Sequence, residues 1–343
     1  MINIQDIRDT AKDLLAKGEV RGVIGWKAGT RGMDAEPVVI TAPEQADELV
    51  WDPTCYHNLA LYLVEDRKFL AHARKNADKP IGIVAKGCDA RAIVVLMQEN
   101  YFKREDVYII GVSCENTGVV AEHKLARQLS GFAASAAAFA GDEFSFTTAK
   151  GEKKVPAREV MADRCLECRN PFPKEHNATL GEDKTGRTLA APFAALAKFE
   201  AQGGGERWDF WERQFDRCIR CFACRSVCPM CYCDECVVDS IEMKVLPDTT
   251  AEEKANRIRW IERSADRSEN ITYHMTRAMH LAGRCVDCGE CERVCPVNIP
   301  LRLLNNKMER EARERFGYEP GASIGGPSLV ASFRDDDPGD FIR

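Results

Sequence analysis

The start of the chain alternates apolar and charged residues at helical spacing. Ile4, Ile7, Ala11, Leu14 and Leu15 recur every three or four positions, which puts them on one face of a helix. We therefore predict an amphipathic helix that begins at residue 1 and ends near residue 18.

Two continuous apolar runs follow, Ile81–Ala85 and Val107–Val112, and both are rich in β-branched residues. This pattern is typical of buried parallel strands. The segment Ala90–Asn100 between them predicts a helix, so the three elements make a β-α-β unit. With further strands expected at Val20–Trp26 and Pro37–Thr41, roughly the first 130 residues are predicted to form an α/β fold.

Periodicity and turn residues predict the remaining elements. These are a short helix at Glu44–Val50, a longer helix at Asn58–Leu70, an Ala-rich helix at Leu125–Ala140, a hairpin of Glu143–Thr148 with Lys153–Val155, a glycine-rich linker at Gln202–Gly205 and a charged helical region at Thr250–Leu281.

Composition narrows the class of protein. The chain has 343 residues, 45% hydrophobic and 30% charged, which is ordinary for a globular protein of two or three domains. A net charge of −6 gives no reason to expect nucleic acid, and no apolar run approaches the roughly 20 residues of a membrane helix. Sixteen cysteines without a signal-peptide pattern favour metal ligation in a reducing, cytoplasmic setting over disulfides.

Two cysteine runs share one spacing and form the only internal repeat. CIRCFACRSVCP begins at Cys218 and CVDCGECERVCP begins at Cys285, and both have the pattern C-x2-C-x2-C-x3-C-P. That pattern binds [4Fe–4S] clusters of the bacterial ferredoxin type, in which the fourth Cys of each run ligates the cluster of the other run. We therefore predict cluster 1 on Cys218, Cys221, Cys224 and Cys295, and cluster 2 on Cys285, Cys288, Cys291 and Cys228.

Four further cysteines predict a third cluster. Cys88 and Cys114 each follow a predicted strand, so they are expected at the carboxyl edge of the sheet, where open α/β sheets bind ligands. Cys165 and Cys168 form a C-x2-C pair that completes a set of four thiolates, cluster 3. The alternatives are two buried structural cysteines and half of a zinc site.

The last four cysteines suggest a fourth site. Cys231, Cys233 and Cys236 are closely spaced, and Cys55 is the remaining unassigned thiol, with His57 as a substitute ligand. A [4Fe–4S] cluster on Cys55, Cys231, Cys233 and Cys236 is cluster 4; zinc or a partly filled site is the alternative.

Residues between about 80 and 180 resemble a known family. A Cys in a Gly-led loop, a helix, a strand ending in a Gly-x-x-Cys element and a C-x2-C pair are similar to the beta subunits of coenzyme F-420 (deazaflavin) hydrogenases and dehydrogenases. The resemblance implies FAD, a cubane cluster and an added two-cluster ferredoxin module. It also implies partner subunits of heterodisulfide-reductase-like, hydrogenase or formate dehydrogenase-like complexes. Gly87 and Asp89 stand where the family has Pro and Gln, so the deazaflavin itself is not assigned as substrate.

These patterns predict an oxidoreductase subunit that transfers electrons between a flavin or soluble carrier and a partner subunit. The alternative is an iron–sulfur wire without flavin, which the absence of a dinucleotide fingerprint favours. A redox-responsive regulator is disfavoured because no DNA-reading module is recognisable. No catalytic residue is assigned.

The predicted architecture has four segments. An α/β flavin and cluster domain spans residues 1–200, a linker 201–207, an α-helical bacterial-ferredoxin-like two-[4Fe–4S] module 208–310 and a C-terminal extension 311–343. The extension is expected to be an extended tail on the surface or on a partner, with disorder as the alternative. His274 and His280 are expected to pack near a cluster, and the arginines beside the Cys runs to offset cluster charge.

Overall fold

The structure is a computed structural model. It describes residues 2–30, 33–73, 77–114, 118–130, 134–140, 142–183, 190–233, 236, 238, 250–252, 261 and 264–333.

The N-terminal part is built on a five-stranded sheet. Its strands are β1 (Val23–Ala28), β2 (Ala35–Ile40), β3 (Ile81–Ala85), β4 (Val107–Val112) and β8 (Ala178–Leu180). The order across the sheet is β2-β1-β3-β4-β8. Only β1 and β2 pair antiparallel, as a hairpin, and the other neighbours are parallel. The predicted α/β class is confirmed, and β3 and β4 have the predicted bounds.

A second sheet of three antiparallel strands lies beside the first. It consists of β5 (Ala134–Ala140), β6 (Glu143–Thr148) and β7 (Gly151–Pro156). The predicted hairpin is therefore confirmed as β6 and β7.

The helices of the described residues are numbered in chain order. They are α1 (Ile4–Ala16), α2 (Ala60–His72), α3 (Gly87–Gln98), α4 (Glu122–Gln128), α5 (Ala157–Val160), α6 (Asp163–Leu166), α7 (Ala194–Glu200), α8 (Gly204–Asp216), α9 (Ala223–Ser226), α10 (Arg267–His280), α11 (Glu290–Arg293) and α12 (Leu301–Phe316). Pro43–Glu48 and Arg104–Asp106 are 3-10 turns.

The main core lies between the large sheet and helices α1, α2 and α3. Helix α1 buries the apolar face predicted for it through Ile7, Ala11 and Leu14, and Asn3 caps its N-terminus. All five residues of β3 are buried, which explains why this strand shows no polar alternation.

The Ala-rich segment Leu125–Ala140 was predicted as one helix, and this prediction is wrong. Its first part ends helix α4, and its last part is strand β5, paired with β6. Phe139 of β5 lies opposite Phe144, and their rings are 5.0 Å apart in the core of the small sheet. Tertiary packing of these aromatic residues thus overrides the helix propensity of alanine.

The glycine-rich linker is shorter than predicted. Helix α8 begins at Gly204, and the Glu206 side chain accepts a hydrogen bond from the Gly203 amide at 2.9 Å. Residues 204–207 are therefore helical, and only residues 201–203 connect α7 to α8. Of the charged region Thr250–Leu281, the helix Arg267–His280 is confirmed, while residues 253–260, 262 and 263 lie outside the described residues.

The predicted extended tail does not begin at residue 311, because helix α12 continues to Phe316. The described residues after this helix lie on the α/β domain. Arg91 donates hydrogen bonds to the carbonyl oxygen of Pro320 at 2.8 and 3.0 Å, and Gln98 donates to those of Ser323 and Gly326. Helix α3 therefore anchors this segment. Residues 334–343 lie outside the described residues. Within the described ranges, no helix has both the length and the apolar character needed to cross a bilayer.

Gly87 provides a test of this packing. A Cβ atom at Gly87 would overlap the carbonyl oxygen of Asn170, so α3 can approach the loop after Cys168 only without a side chain here. We expect Gly87→Ala to destabilise the protein by about 1–3 kcal/mol, the usual cost of overpacking, as measured by denaturant unfolding.

Gly205→Ala is the control. A Cβ at Gly205, inside α8, meets no atom within 4 Å, so this change should stabilise the protein by about 0.5–1 kcal/mol. Equal effects of the two substitutions would contradict the close approach.

Candidate functional site

Four predicted ligands of cluster 3 line one cavity. Cys88 lies in the first turn of α3 just after β3, Cys114 follows β4, and Cys165 and Cys168 come from α6 and the turn after it. Since β3 and β4 are parallel neighbours, the expected position at the carboxyl edge of the sheet is confirmed. We call this space the thiol cavity.

Hydrogen bonds from the backbone hold the loops of the thiol cavity together. The Cys114 amide donates to the carbonyl oxygen of Pro171 at 2.9 Å, which ties the loop after β4 to the loop after Cys168. Asp89, completely buried, accepts from the amides of Lys86 at 2.8 Å and Leu59 at 3.0 Å. These contacts fix the turn that presents Cys88.

The Lys86 side chain adds a buried cation at this edge. Its Nζ atom donates to the carbonyl oxygen of His57 at 2.9 Å and lies 3.9 Å from the Trp26 ring centroid. It is also 3.1 Å from Asp89. A positive charge beside Cys88 and Cys114 suits a site that gathers thiolates.

Burial raises the pKa values of three proposed ligands in this cavity. The pKa of Cys168 is raised to about 11, first by desolvation and then by the charge of Cys165. Burial likewise raises the pKa of Cys88 and of Cys114. These thiols therefore stay protonated at neutral pH unless a metal replaces their protons, which is the behaviour expected of cluster ligands.

A second cavity gathers the predicted ligands of cluster 2. It is lined by Cys285, Cys288 and Cys291 together with Cys228 of the first run, and we call it the cluster 2 cavity. The exchange of the fourth cysteine predicted from the repeat thus has a geometric basis. Cys288 also lines the thiol cavity, so the two cavities are adjacent.

Three of the predicted ligands of cluster 1 are also neighbours. Cys224 and Cys295 are close enough to Cys218 to raise the pKa of its thiol, although burial is the larger cause. The Ile299 amide donates to Cys295 Sγ at 3.3 Å, and the Arg220 amide donates to Cys218 Sγ at 3.4 Å. Amide donors that point at sulfur are typical of iron–sulfur sites.

A buried arginine supports the fit of these cysteines to clusters. Arg277 of α10 lines the cluster 2 cavity, and its charge also acts on Cys224. One of its guanidinium nitrogens donates to the Cys224 carbonyl oxygen at 2.8 Å, but its buried Nε finds no partner among the described residues. An unpaired buried N–H is costly, and cluster sulfurs are acceptors that would satisfy it.

The described residues do not bring three His, Cys, Asp or Glu side chains together tightly enough to ligate a single metal ion. A cubane cluster spreads its thiolates over separate corners, so this observation does not conflict with the three thiol sets.

Buried ion pairs join the loop of Cys165 and Cys168 to the predicted ferredoxin-like module of residues 208–310, which we call the cysteine-rich module. Arg164 contacts Glu290 at 2.9 Å, Arg169 contacts Glu309 at 2.6 Å, and Arg302 contacts Glu167 at 2.8 Å. Each carboxylate is at most 6% exposed. Arg164 and Arg169 flank the Cys165 and Cys168 pair, and these ion pairs hold the thiol cavity against the cluster 2 cavity.

The predicted ligands of cluster 4 have different surroundings. The Cys55 thiol donates to the Val50 carbonyl oxygen at 3.8 Å, and burial raises its pKa. Cys231 lies beside Cys228, and Cys233 is exposed. Within the described part of the chain, no contact joins Cys55 to Cys231, Cys233 or Cys236. Cluster 4 stays a prediction, and the packing of Cys55 does not support this residue as its fourth ligand.

The histidines also differ in how close they lie to the proposed cluster ligands. His274 Nε2 lies 3.4 Å from Cys218 Sγ, so the expectation that it packs near a cluster ligand is met. His280 is exposed, and the hydrogen bond recorded for it is its carbonyl oxygen accepting from Arg284. His57 Nδ1 lies 3.3 Å from Arg293 and 3.7 Å from Glu290, beside the joint between the modules.

Sequence reasoning missed three residues that contact the predicted ligands. Tyr273 Oη lies 3.5 Å from Cys224 Sγ, Asn305 Nδ2 lies 3.5 Å from Cys291 Sγ, and Arg277 lies between the two thiol sets. The signal in the sequence that could have pointed to these residues is a polar side chain on the buried face of an amphipathic helix. That signal identifies a buried group but not its partner.

A third cavity lies at the joint between the modules. Its volume is about 420 Å³, and we call it the basic cavity. Its charged lining residues are Arg127, Arg164, Arg293, Arg302, Glu122, Asp163 and Glu292, with His123 beside them. Arg164 also lines the thiol cavity, so the two spaces share a wall.

Comparison with known proteins agrees with this geometry. Residues 214–299 match the family described as 4Fe-4S dicluster domain. The chain is 25% identical over 378 residues to the F420-dependent formate dehydrogenase subunit beta of Methanocaldococcus jannaschii, covering 93% of this chain and 92% of that protein. The resemblance expected from the sequence is confirmed.

Two further similarities are of the same kind. The F420-dependent formate dehydrogenase 1 subunit beta of Methanococcus maripaludis is 25% identical over 383 residues, covering 93% of this chain and 91% of that protein. A chain of the F420-reducing [NiFe] hydrogenase complex from Methanosarcina barkeri superposes with a TM-score of 0.38 at 17% identity, over 49% of this chain and 60% of that chain. The protein is thus an oxidoreductase subunit with a 4Fe-4S dicluster domain.

Replacement of Cys88 tests the third cluster. Since Cys88 lines the thiol cavity and not the cluster 2 cavity, Cys88→Ala should lower the iron content by about four per chain and leave the dicluster spectrum intact. Iron analysis and low-temperature EPR of anaerobically purified protein provide the measurement.

Cys55→Ala is the matched control. This thiol is more deeply buried than Cys88 and is hydrogen-bonded to the backbone, so the iron content should not change. Unchanged iron in Cys88→Ala would remove cluster 3, whereas lost iron in Cys55→Ala would restore Cys55 as a ligand of cluster 4.

Proposed function

We propose that this chain is the electron-transfer subunit of a formate dehydrogenase-type complex. It transfers electrons between a flavin held by its N-terminal domain and a partner subunit, through at least three [4Fe–4S] clusters. The partner is proposed to be of formate dehydrogenase type because two curated relatives are beta subunits of that enzyme. The proposed domains are residues 1–200 and 208–310, with the connection now limited to residues 201–203.

The observation that carries the proposal is the shared wall of two cavities. Cys288, a proposed ligand of cluster 2, also lines the thiol cavity of the N-terminal domain. A cluster in that cavity would lie next to cluster 2, close enough for direct electron transfer. Three thiol sets in series favour a function in transfer over storage or purely structural binding.

The basic cavity is the proposed flavin site. Its volume of about 420 Å³ falls in the range of small-molecule pockets, and the guanidinium group of its exposed Arg127 is suited to phosphate oxygens. Since Arg164 separates it from the thiol cavity, a flavin ring there would lie beside cluster 3. Flavin supplies the exchange between two-electron and one-electron chemistry.

The residues of the chain have a defined part in this function. The pairs of Arg164 with Glu290 and of Arg302 with Glu167 hold the two modules at a fixed spacing. Lys86 and Arg277 supply positive charge beside the thiols. Buried positive charge and hydrogen bonds to sulfur stabilise the reduced, more negative form of a cluster.

The second candidate function is an iron–sulfur wire without flavin. The absence of a G-x-G-x-x-G fingerprint favours it. Its N-terminal domain would then bind a soluble redox protein directly, and the basic cavity would have another occupant.

Quantification of iron, sulfide and flavin per chain after anaerobic purification discriminates the two candidates. We expect about twelve irons, or about sixteen with cluster 4, and one FAD. Twelve irons without flavin would favour the wire, and about eight irons would limit the clusters to the ferredoxin module.

Replacement of Arg127 tests the flavin site. This exposed residue lines the basic cavity, so Arg127→Ala should lower the flavin content of purified protein without lowering its iron content. Arg158→Ala is the control, because Arg158 is exposed on α5 of the same domain and is not among the residues that line the cavity. Equal flavin in the two variants would place the cofactor elsewhere.

A further inference from the structure

Helix α10 places two side-chain donors on the ligands of one cluster only. Tyr273 Oη lies 3.5 Å from Cys224 Sγ, and His274 Nε2 lies 3.4 Å from Cys218 Sγ. We propose that Tyr273 and His274 raise the reduction potential of cluster 1 above that of cluster 2, so that electrons collect on cluster 1. This inference rests on the proposed ligands of the two clusters, and it concerns which cluster has the higher reduction potential.

The direction of both hydrogen bonds follows from the chemistry of the ligands. An iron-bound thiolate carries no proton, so it can only accept, and the hydroxyl of Tyr273 must donate. The same reasoning places a hydrogen on His274 Nε2.

Packing holds both donors in place. The His274 ring stacks on Phe215, with centroids 4.9 Å apart and an angle of 13° between the planes, and its other neighbour is Tyr273. Tyr273 is 1% exposed and His274 2% exposed. Neither side chain can turn away without leaving a cavity in the core, so the hydrogen bonds are preorganised.

The ligands of cluster 2 have weaker side-chain donors in the described part of the chain. Asn305 of α12 donates an amide hydrogen to Cys291 Sγ over 3.5 Å. The Cys231 thiol lies beside Cys228, but S–H is a weak donor. Backbone amides contribute to both clusters, through Arg220 and Ile299 for cluster 1 and Glu290 for cluster 2.

Charged groups do not reverse the proposed order of the two reduction potentials. Arg277 acts on Cys224, Cys228 and Cys291, and so on both clusters. Three carboxylates that act on ligands of cluster 2, Asp287, Glu290 and Glu309, are each paired with an arginine at 2.9 Å or less, and such pairs largely cancel over short distances. The difference therefore rests on the direct donors.

Solvent exposure acts in the same direction as the donors. Cys221 of cluster 1 is exposed, and the neighbouring Ile219 is 58% exposed, whereas no proposed ligand of cluster 2 is. Water stabilises the more negative reduced form of a cluster, so exposure also raises the potential of cluster 1. Cluster 1 thus lies at the surface end of the series, where a partner subunit can approach.

The experiment is a redox titration of the anaerobically purified full chain, followed by EPR. Tyr273→Phe keeps the ring and removes only the hydroxyl, so it should lower the higher of the two potentials of the ferredoxin module and leave the lower one unchanged. His274→Phe should shift the same cluster in the same direction, and it serves as the second variant if Tyr273→Phe loses iron.

Asn305→Leu is the matched control. It removes the amide donor to Cys291, so it should lower the lower of the two potentials and leave the higher one unchanged. The proposal is overturned if Tyr273→Phe and His274→Phe shift the lower potential, or if both retain iron with unchanged potentials. Iron and flavin contents, measured on the same samples, report on the proposed function separately.

Discussion

The structure depends on buried arginine–carboxylate pairs that cross between two parts of the chain. Arg164 with Glu290 and Arg302 with Glu167 connect residues more than 100 positions apart in sequence. Burying such charges costs several kcal/mol per ion, and removal of one partner leaves the other uncompensated. The loop of Cys165 and Cys168 therefore keeps its position only when the cysteine-rich module is folded against it. The thiol cavity is a product of both modules.

The same joint determines the environment of the thiols. Cys88, Cys168 and Cys288 lie where burial raises their pKa values, so each would give up its proton only in exchange for iron. Folding of the joint and loading of the clusters are thus thermodynamically coupled. The cations Lys86 and Arg277 reduce the cost of collecting several thiolates in a dry space.

The sequence was most informative about the fold where a short pattern is typical of one kind of secondary structure. Strands β3 and β4 were predicted to the residue because continuous β-branched runs suit only a buried strand. Alanine misled at residues 134–140, where pairing with β6 and the burial of Phe139 outweigh propensity. Tyr273, Arg277 and Asn305 could not be assigned to the site, because their contacts with the cysteines form only when α10 and α12 pack. The packing of Cys55 shows that elimination alone does not assign a remaining thiol to a cluster, and its place in cluster 4 stays a prediction.

The two cysteine runs are nearly identical in spacing, so the repeat alone would make two equivalent clusters. Their difference comes from the sequence between them. Helix α10 belongs to neither run. The charge of its Arg277 acts on ligands of both clusters, whereas its Tyr273 and His274 contact only ligands of cluster 1. A duplicated ligand pattern thus supplies two like sites, and a single inserted helix distinguishes them. Such asymmetry is what a repeated site needs before it can favour one direction of electron flow.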